Sequence, residues 1–235
     1  METKFIPLKN KPETAIEINI HSLNSDNVII NLPGFGGDIN GYSNKYNKLA
    51  EYLVENQLGA VVRMGNIIFP NEEYGQSIVN QLETVIDFIL KYSEYICTRK
   101  NPNIYIIGTS AGAGATALVA YKYAQIKKIL LVAPAAGNVR NYGNALQELM
   151  KFTGDVAIII GEKDDVVGVG SGRSFKFYAE DSENIHSLKY IEIPFCDHQF
   201  KGETNGRILS RAPFWAFIDK DLIIPPLTES CKLYD

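Results

Sequence analysis

The chain has 235 residues, 46% hydrophobic and 21% charged, with a formal net charge of -4. That composition is ordinary for a globular protein, the length suffices to bury a large core, and α/β chains of this size often fold as one unit, here expected to span 1–235. No lysine or arginine cluster stands out, which argues against nucleic acid or an anionic membrane as a partner.

The opening METKFIPLKNKPET has no apolar run of signal-peptide length. No later run approaches a membrane span, so a cytoplasmic protein is expected. Apolar, β-rich runs follow at 15–20, 28–32, 60–64, 104–107, 129–132, 156–160 and 188–193. Between them, Tyr46, Leu49, Ala50, Leu53 and Val54 mark one helical stripe, and Ile78, Leu82, Val85, Ile86 and Ile89 another. Near-continuous Val/Ile strands separated by crossover helices predict an α/β fold: a mostly parallel sheet with helices on both faces. The first strand, with no helix before the second, is expected at an antiparallel edge. Only one helix fits between Val132 and Val156, around 141–151, so any lid is small. Residues 207–217 look helical, but Pro213 is expected to kink or split them, and Pro225-Pro226 ends regular structure.

The decisive stretch is NIYIIGTSAGAGATALVA, from Asn103 to Ala120. It matches both G-x-S-x-G around Ser110 and the dinucleotide fingerprint G-x-G-x-x-G/A from Gly112 to Ala117. A dinucleotide site needs its first glycine at the strand's end and a carboxylate closing the next strand. Gly112 lies beyond that end, and the next strand closes on Ala133-Pro134. In the elbow reading Gly108 closes the strand, Ser110 takes the sharp turn and Ala111 opens a helix. The turn crowds the positions two residues away on either side, so small residues are required there.

A serine nucleophile needs a histidine base, itself oriented by a carboxylate. The chain has three histidines. His186 precedes a strand and so lies at the wrong end, His21 cannot be placed, and His198 follows the last strand at the carboxyl end, where open α/β sheets do their chemistry. After the strand at 156–160, Asp164 and Asp165 are both available as the carboxylate. The Ala111 N–H is one expected oxyanion donor, and the glycine-rich loop in NVIINLPGFGGD is expected to supply the other. Tyr142, Leu146, Met150, Phe35, Phe69 and Phe200 are candidates to line an apolar pocket, and Arg63 and Arg140 to clamp a substrate carboxylate, although a structural salt bridge is the commoner role. Cys97, Cys196 and Cys231 form neither a disulfide framework nor a zinc pattern. No metal or cofactor is expected.

Ser110, an Asp after the penultimate strand, His198 after the last strand and an early G-F-G-G loop together resemble the α/β-hydrolase fold, a resemblance covering 28 to about 200. Within it, the chain looks like a small esterase or dienelactone-hydrolase-like serine hydrolase. The resemblance favours Asp164 as the acid and implies Phe35 as the second oxyanion donor. The chain departs from the usual pattern in having Pro33 where a histidine commonly precedes the glycine, and Gly168 where a proline often follows the two valines. The implied activity is cleavage of a small carboxylic ester or thioester through an acyl-enzyme on Ser110.

Overall fold

The computed structural model describes residues 1–69, 74–135 and 144–222. Eight strands form one sheet in the order β1-β2-β4-β3-β5-β6-β7-β8. They are β1 (Glu2–Leu8), β2 (Lys11–His21), β3 (Asn27–Leu32), β4 (Ala60–Met64), β5 (Asn103–Thr109), β6 (Ile126–Val132), β7 (Asp155–Gly161) and β8 (Ser187–Ile193). From β4 to β8 every pairing is parallel, whereas β1, β2 and β4 pair antiparallel. The helices are α1 (Lys45–Glu55), α2 (Tyr74–Lys91), α3 (Ser93–Cys97), α4 (Ala111–Val119), α5 (Ala145–Leu149), α6 (Val169–Glu180) and α7 (Glu203–Ile218).

The period-2 geometry of a strand sorts its residues into two cores. Val28, Ile30, Ile104, Ile106, Ile129, Leu131, Val156 and Ile158 face one side, against α2, α4, α5 and α6. Their neighbours Ile29, Tyr105, Ile107, Leu130, Val132, Ala157 and Ile159 face the other, against α1 and α7. Because both faces are covered, the parallel strands read as unbroken apolar runs.

Three expectations need correction. The strand expected at the edge, β2, is second in the sheet, and β1 pairs along its outer side. The helix expected around 141–151 is one short turn at Ala145–Leu149 among the described residues. Pro213 does not split its helix: α7 runs unbroken from Glu203 to Ile218. An internal proline costs about 3 kcal/mol. Ile208, Phe214 and Phe217 of the same helix are each nearly fully buried, and each contributes about 1.5–3 kcal/mol. Their sum outweighs the cost. Among the described residues no helix is long and apolar enough to cross a membrane. Pro225-Pro226 lies outside the described residues.

Candidate active site

The turn between β5 and α4 holds Ser110 at φ 54°, ψ -118°. This strained conformation is sustained by the packing around it. The Ser110 N–H donates to Val132 O at 2.8 Å, and its carbonyl accepts from Ala113 and Ala135. A Cβ on Gly108 would stand 2.5 Å from Thr116 Oγ1, and one on Gly112 2.4 Å from Pro33 O. Both glycines of G-x-S-x-G are therefore dictated by space.

Two further turns bring a histidine and an acid to this serine. Asp164 follows β7 and His198 follows β8, which lie side by side. His198 Nε2 lies 3.1 Å from Ser110 Oγ, and His198 Nδ1 lies 2.7 Å from Asp164 Oδ2. A proton on Nδ1 is donated to the carboxylate, leaving Nε2 as the acceptor for the serine hydroxyl. The other Asp164 oxygen accepts N–H groups from Val166 at 3.0 Å and Val167 at 2.9 Å. Asp164 and His198 are both buried, whereas Asp165 is exposed. Asp197 caps its own loop, accepting the Lys201 N–H at 3.0 Å. The two turns meet at Gly161, where a Cβ would lie 2.1 Å from Cys196 O. The Lys163 N–H donates to that carbonyl at 2.9 Å.

The glycine-rich loop after β3 lies directly over the serine: a Cβ on Gly34 would be 2.9 Å from Ser110 Cβ and 3.4 Å from its Oγ. Asn66, just beyond β4, pins this loop by donating from Nδ2 to Gly34 O at 2.6 Å and Pro33 O at 3.3 Å. Gln81 of α2 in turn holds the neighbouring segment, exchanging hydrogen bonds with both the N–H and the carbonyl of Ile67. The Phe35 ring is largely exposed. Ala111 opens α4, where a helix has no internal acceptor for its first N–H groups.

No family model and no curated protein sequence matches the chain. Solved structures do match. Est1E from Butyrivibrio proteoclasticus aligns with a TM-score of 0.69 at 16% identity, over 90% of this chain and 96% of that one. A dienelactone hydrolase from Anabaena variabilis aligns at 0.67 and 13% identity, over 92% and 97%. A serine hydrolase without a lid from Xanthomonas campestris aligns at 0.62 and 15%, over 85% and 87%. The chain has the α/β-hydrolase fold. One departure from its usual motifs has a local cause: Gly168 adopts φ 75°, which the fixed negative φ of proline forbids. Nothing in the structure explains Pro33.

Arg63 departs from the substrate-clamp expectation. It is fully buried, and its partners are neutral: Nε donates to His21 Nε2 at 3.1 Å, and the terminal nitrogens to Ile39 O, Asn40 Oδ1 and Asn47 Oδ1. No surface remains for a substrate, and the guanidinium instead fixes the loop between β3 and α1. Phe69 and Leu146 are partly buried and pack against the core that includes α2, α4, α5 and α6. Met150 uses its carbonyl to tie down Ser182 and Asn184. Arg140, Tyr142 and Cys231 lie outside the described residues. Cys97 and Cys196 are buried free thiols, and burial, with the nearby Asp197 and Asp164 charges, pushes Cys196 up to about 12.

Phe200, which packs into the α1–α7 core, also lines a cavity of about 700 Å³ between the start of α1 and the 199–210 segment. The sequence reading missed the α1 wall: Tyr42, Lys45, Tyr46 and Leu49. A signal was present, because a helix that opens Lys-Tyr-Asn-Lys with no acid in its first turn runs against the helix dipole. A second hollow, at Leu90–Lys100, lies by the amino end of β5, away from Ser110.

Proposed function

We propose that the protein is a serine hydrolase that cleaves a small carboxylic ester or thioester, acting without metal or cofactor on a soluble small molecule in the cytoplasm. The observation that carries this reading is the continuous hydrogen-bonded line from Ser110 Oγ through His198 to the buried Asp164. His198 removes the serine proton as Oγ attacks the carbonyl. The Ala111 and Phe35 N–H groups hold the oxyanion, a role supported by the closeness of Gly34 to Ser110. His198 then protonates the departing alcohol or thiol. Water, deprotonated by the same imidazole, releases the acid from the acyl-serine. The esterase and hydrolase neighbours support the chemistry by analogy of fold.

Intact-mass spectrometry after exposure to a fluorophosphonate should show one adduct, on Ser110, that the Ser110→Ala variant lacks. A panel of activated esters should then be turned over by the native protein alone. Labelling at another residue, or labelling without turnover of any ester, would contradict the assignment.

A further inference from the structure

The cavity beside α1 is lined by residues adjacent in sequence to the candidate catalytic line. Tyr46 lines it, and its side chain lies near Thr109, next to Ser110. Gln199 and Phe200, the residues after His198, line it too. Its surface combines Tyr46, Leu49, Phe200 and Leu209 with cations from Lys45 and Lys48. At about 700 Å³ it falls within the range of small-molecule sites.

Its charges are unequally matched. Glu203 at the rim pairs with Arg207, and Lys201 with Asp197. Among the described residues neither Lys45 nor Lys48 forms an ion pair, and Lys45 is half-buried. Both cations sit in the first turn of α1, where the helix dipole already favours negative charge, and no acid accompanies them. Burial lowers the pKa of the Lys45 ammonium, an effect that the Asp197 carboxylate only partly offsets. A half-buried cation at a helix start that lies over the Tyr46 ring but has no ion pair is an unfavourable arrangement for stability alone. It favours an arriving anion.

We propose that this cavity receives the acid part of the substrate, and that the preferred substrate is an ester whose apolar chain ends in a second, free carboxylate bound by Lys45. This rests on the hydrolase reading of Ser110 and names the substrate class of that site. The chain lies against Tyr46, Leu49 and Phe200, and the carboxylate meets Lys45, with Lys48 adding to the field.

The test compares p-nitrophenyl monoesters of adipate and suberate with p-nitrophenyl hexanoate and octanoate, matched in chain length and differing in the terminal carboxylate. The native protein should favour the anionic member by about tenfold or more in kcat/KM, the scale of one charge-assisted hydrogen bond in a partly buried site. Lys45→Met should erase that preference, and Lys45→Arg should keep most of it. Calorimetry with free suberate should show binding to Ser110→Ala that Lys45→Met lacks. Ester turnover without anion preference would overturn the cavity assignment and leave the hydrolase reading intact. No turnover of any ester, with suberate binding that still depends on Lys45, would do the reverse.

Discussion

Of the two adjacent acids, Asp164 alone can orient His198: it is buried, meets Nδ1 at 2.7 Å and is itself held by backbone N–H groups, whereas Asp165 is exposed. Asp164→Asn should therefore lower kcat by about 10³–10⁴ with little change in KM, because the interaction matters chiefly in the transition state. Asp165→Asn should stay within about tenfold, since an exposed charge acts only through a screened field. Steady-state kinetics on one activated ester, with circular dichroism as the check on folding, separates them. Loss of activity on changing Asp165 and not Asp164 would contradict the geometry. Ser110 and His198 were legible because each role demands a position at a strand's carboxyl end. The choice within the acid pair was not legible from the residues, since adjacent loop positions differ only in a backbone direction. The clamp role considered for Arg63 fails for a related reason: its place on β4 showed the correct end of the sheet, but not that Asn40, Asn47 and His21 enclose it in the structural role that was the commoner expectation.

Elements show the same division. The central strands could be read from their apolar runs because two covered faces leave no polar alternation to confuse them. β1 was missed because an edge strand buries little: only Ile6 and Leu8 are buried, beside exposed Thr3, Phe5 and Pro7. α6 was missed because its Gly/Ser-rich start reads as loop, and it buries only Gly172, Phe175 and Ala179. The glycine-rich loop was legible as a turn, but its attachment was not, because Asn66 acts across 32 residues of sequence through one amide. That attachment is testable. Asn66→Ala removes the donors to Pro33 and Gly34, so the loop over Ser110 should loosen. We expect kcat to fall by about tenfold to a hundredfold, with a smaller change in KM, as a mispositioned oxyanion donor would give. Fluorophosphonate labelling of Ser110 should slow in parallel. Unchanged labelling and turnover would show that the loop holds its place without Asn66.

At the scale of the whole molecule, the antiparallel β1–β2 hairpin joins the parallel sheet along the single β2–β4 seam, where His21 pairs with Val61 and Asn19 with Arg63. His21 Nε2 accepts from the Arg63 guanidinium across this seam, which requires a neutral imidazole. Protonation would remove the acceptor and set cation against cation in a buried place. Burial chiefly, then Arg63 and the N-terminal ammonium, lower the His21 pKa from 6.5 to about 4. The sign follows directly: between about pH 4 and 6.5 the unfolded chain binds more protons at this residue than the native one, so stability rises with pH there. The contribution is complete above the unfolded value and lost as pH falls toward the folded one. A shift from 6.5 to about 4, at 1.36 kcal/mol per unit, corresponds to about 3 kcal/mol. Denaturant unfolding of the native protein at about pH 7 and about pH 4.5 should show a loss that includes this share. His21→Gln keeps an acceptor for Arg63 but has no proton to gain, so its loss over the same interval should be smaller by about 2–3 kcal/mol. Other titrating groups are common to both proteins and cancel in the difference. Equal losses in the two would mean that the seam does not hold His21 neutral. The acid sensitivity of the fold would then have to arise elsewhere in the molecule.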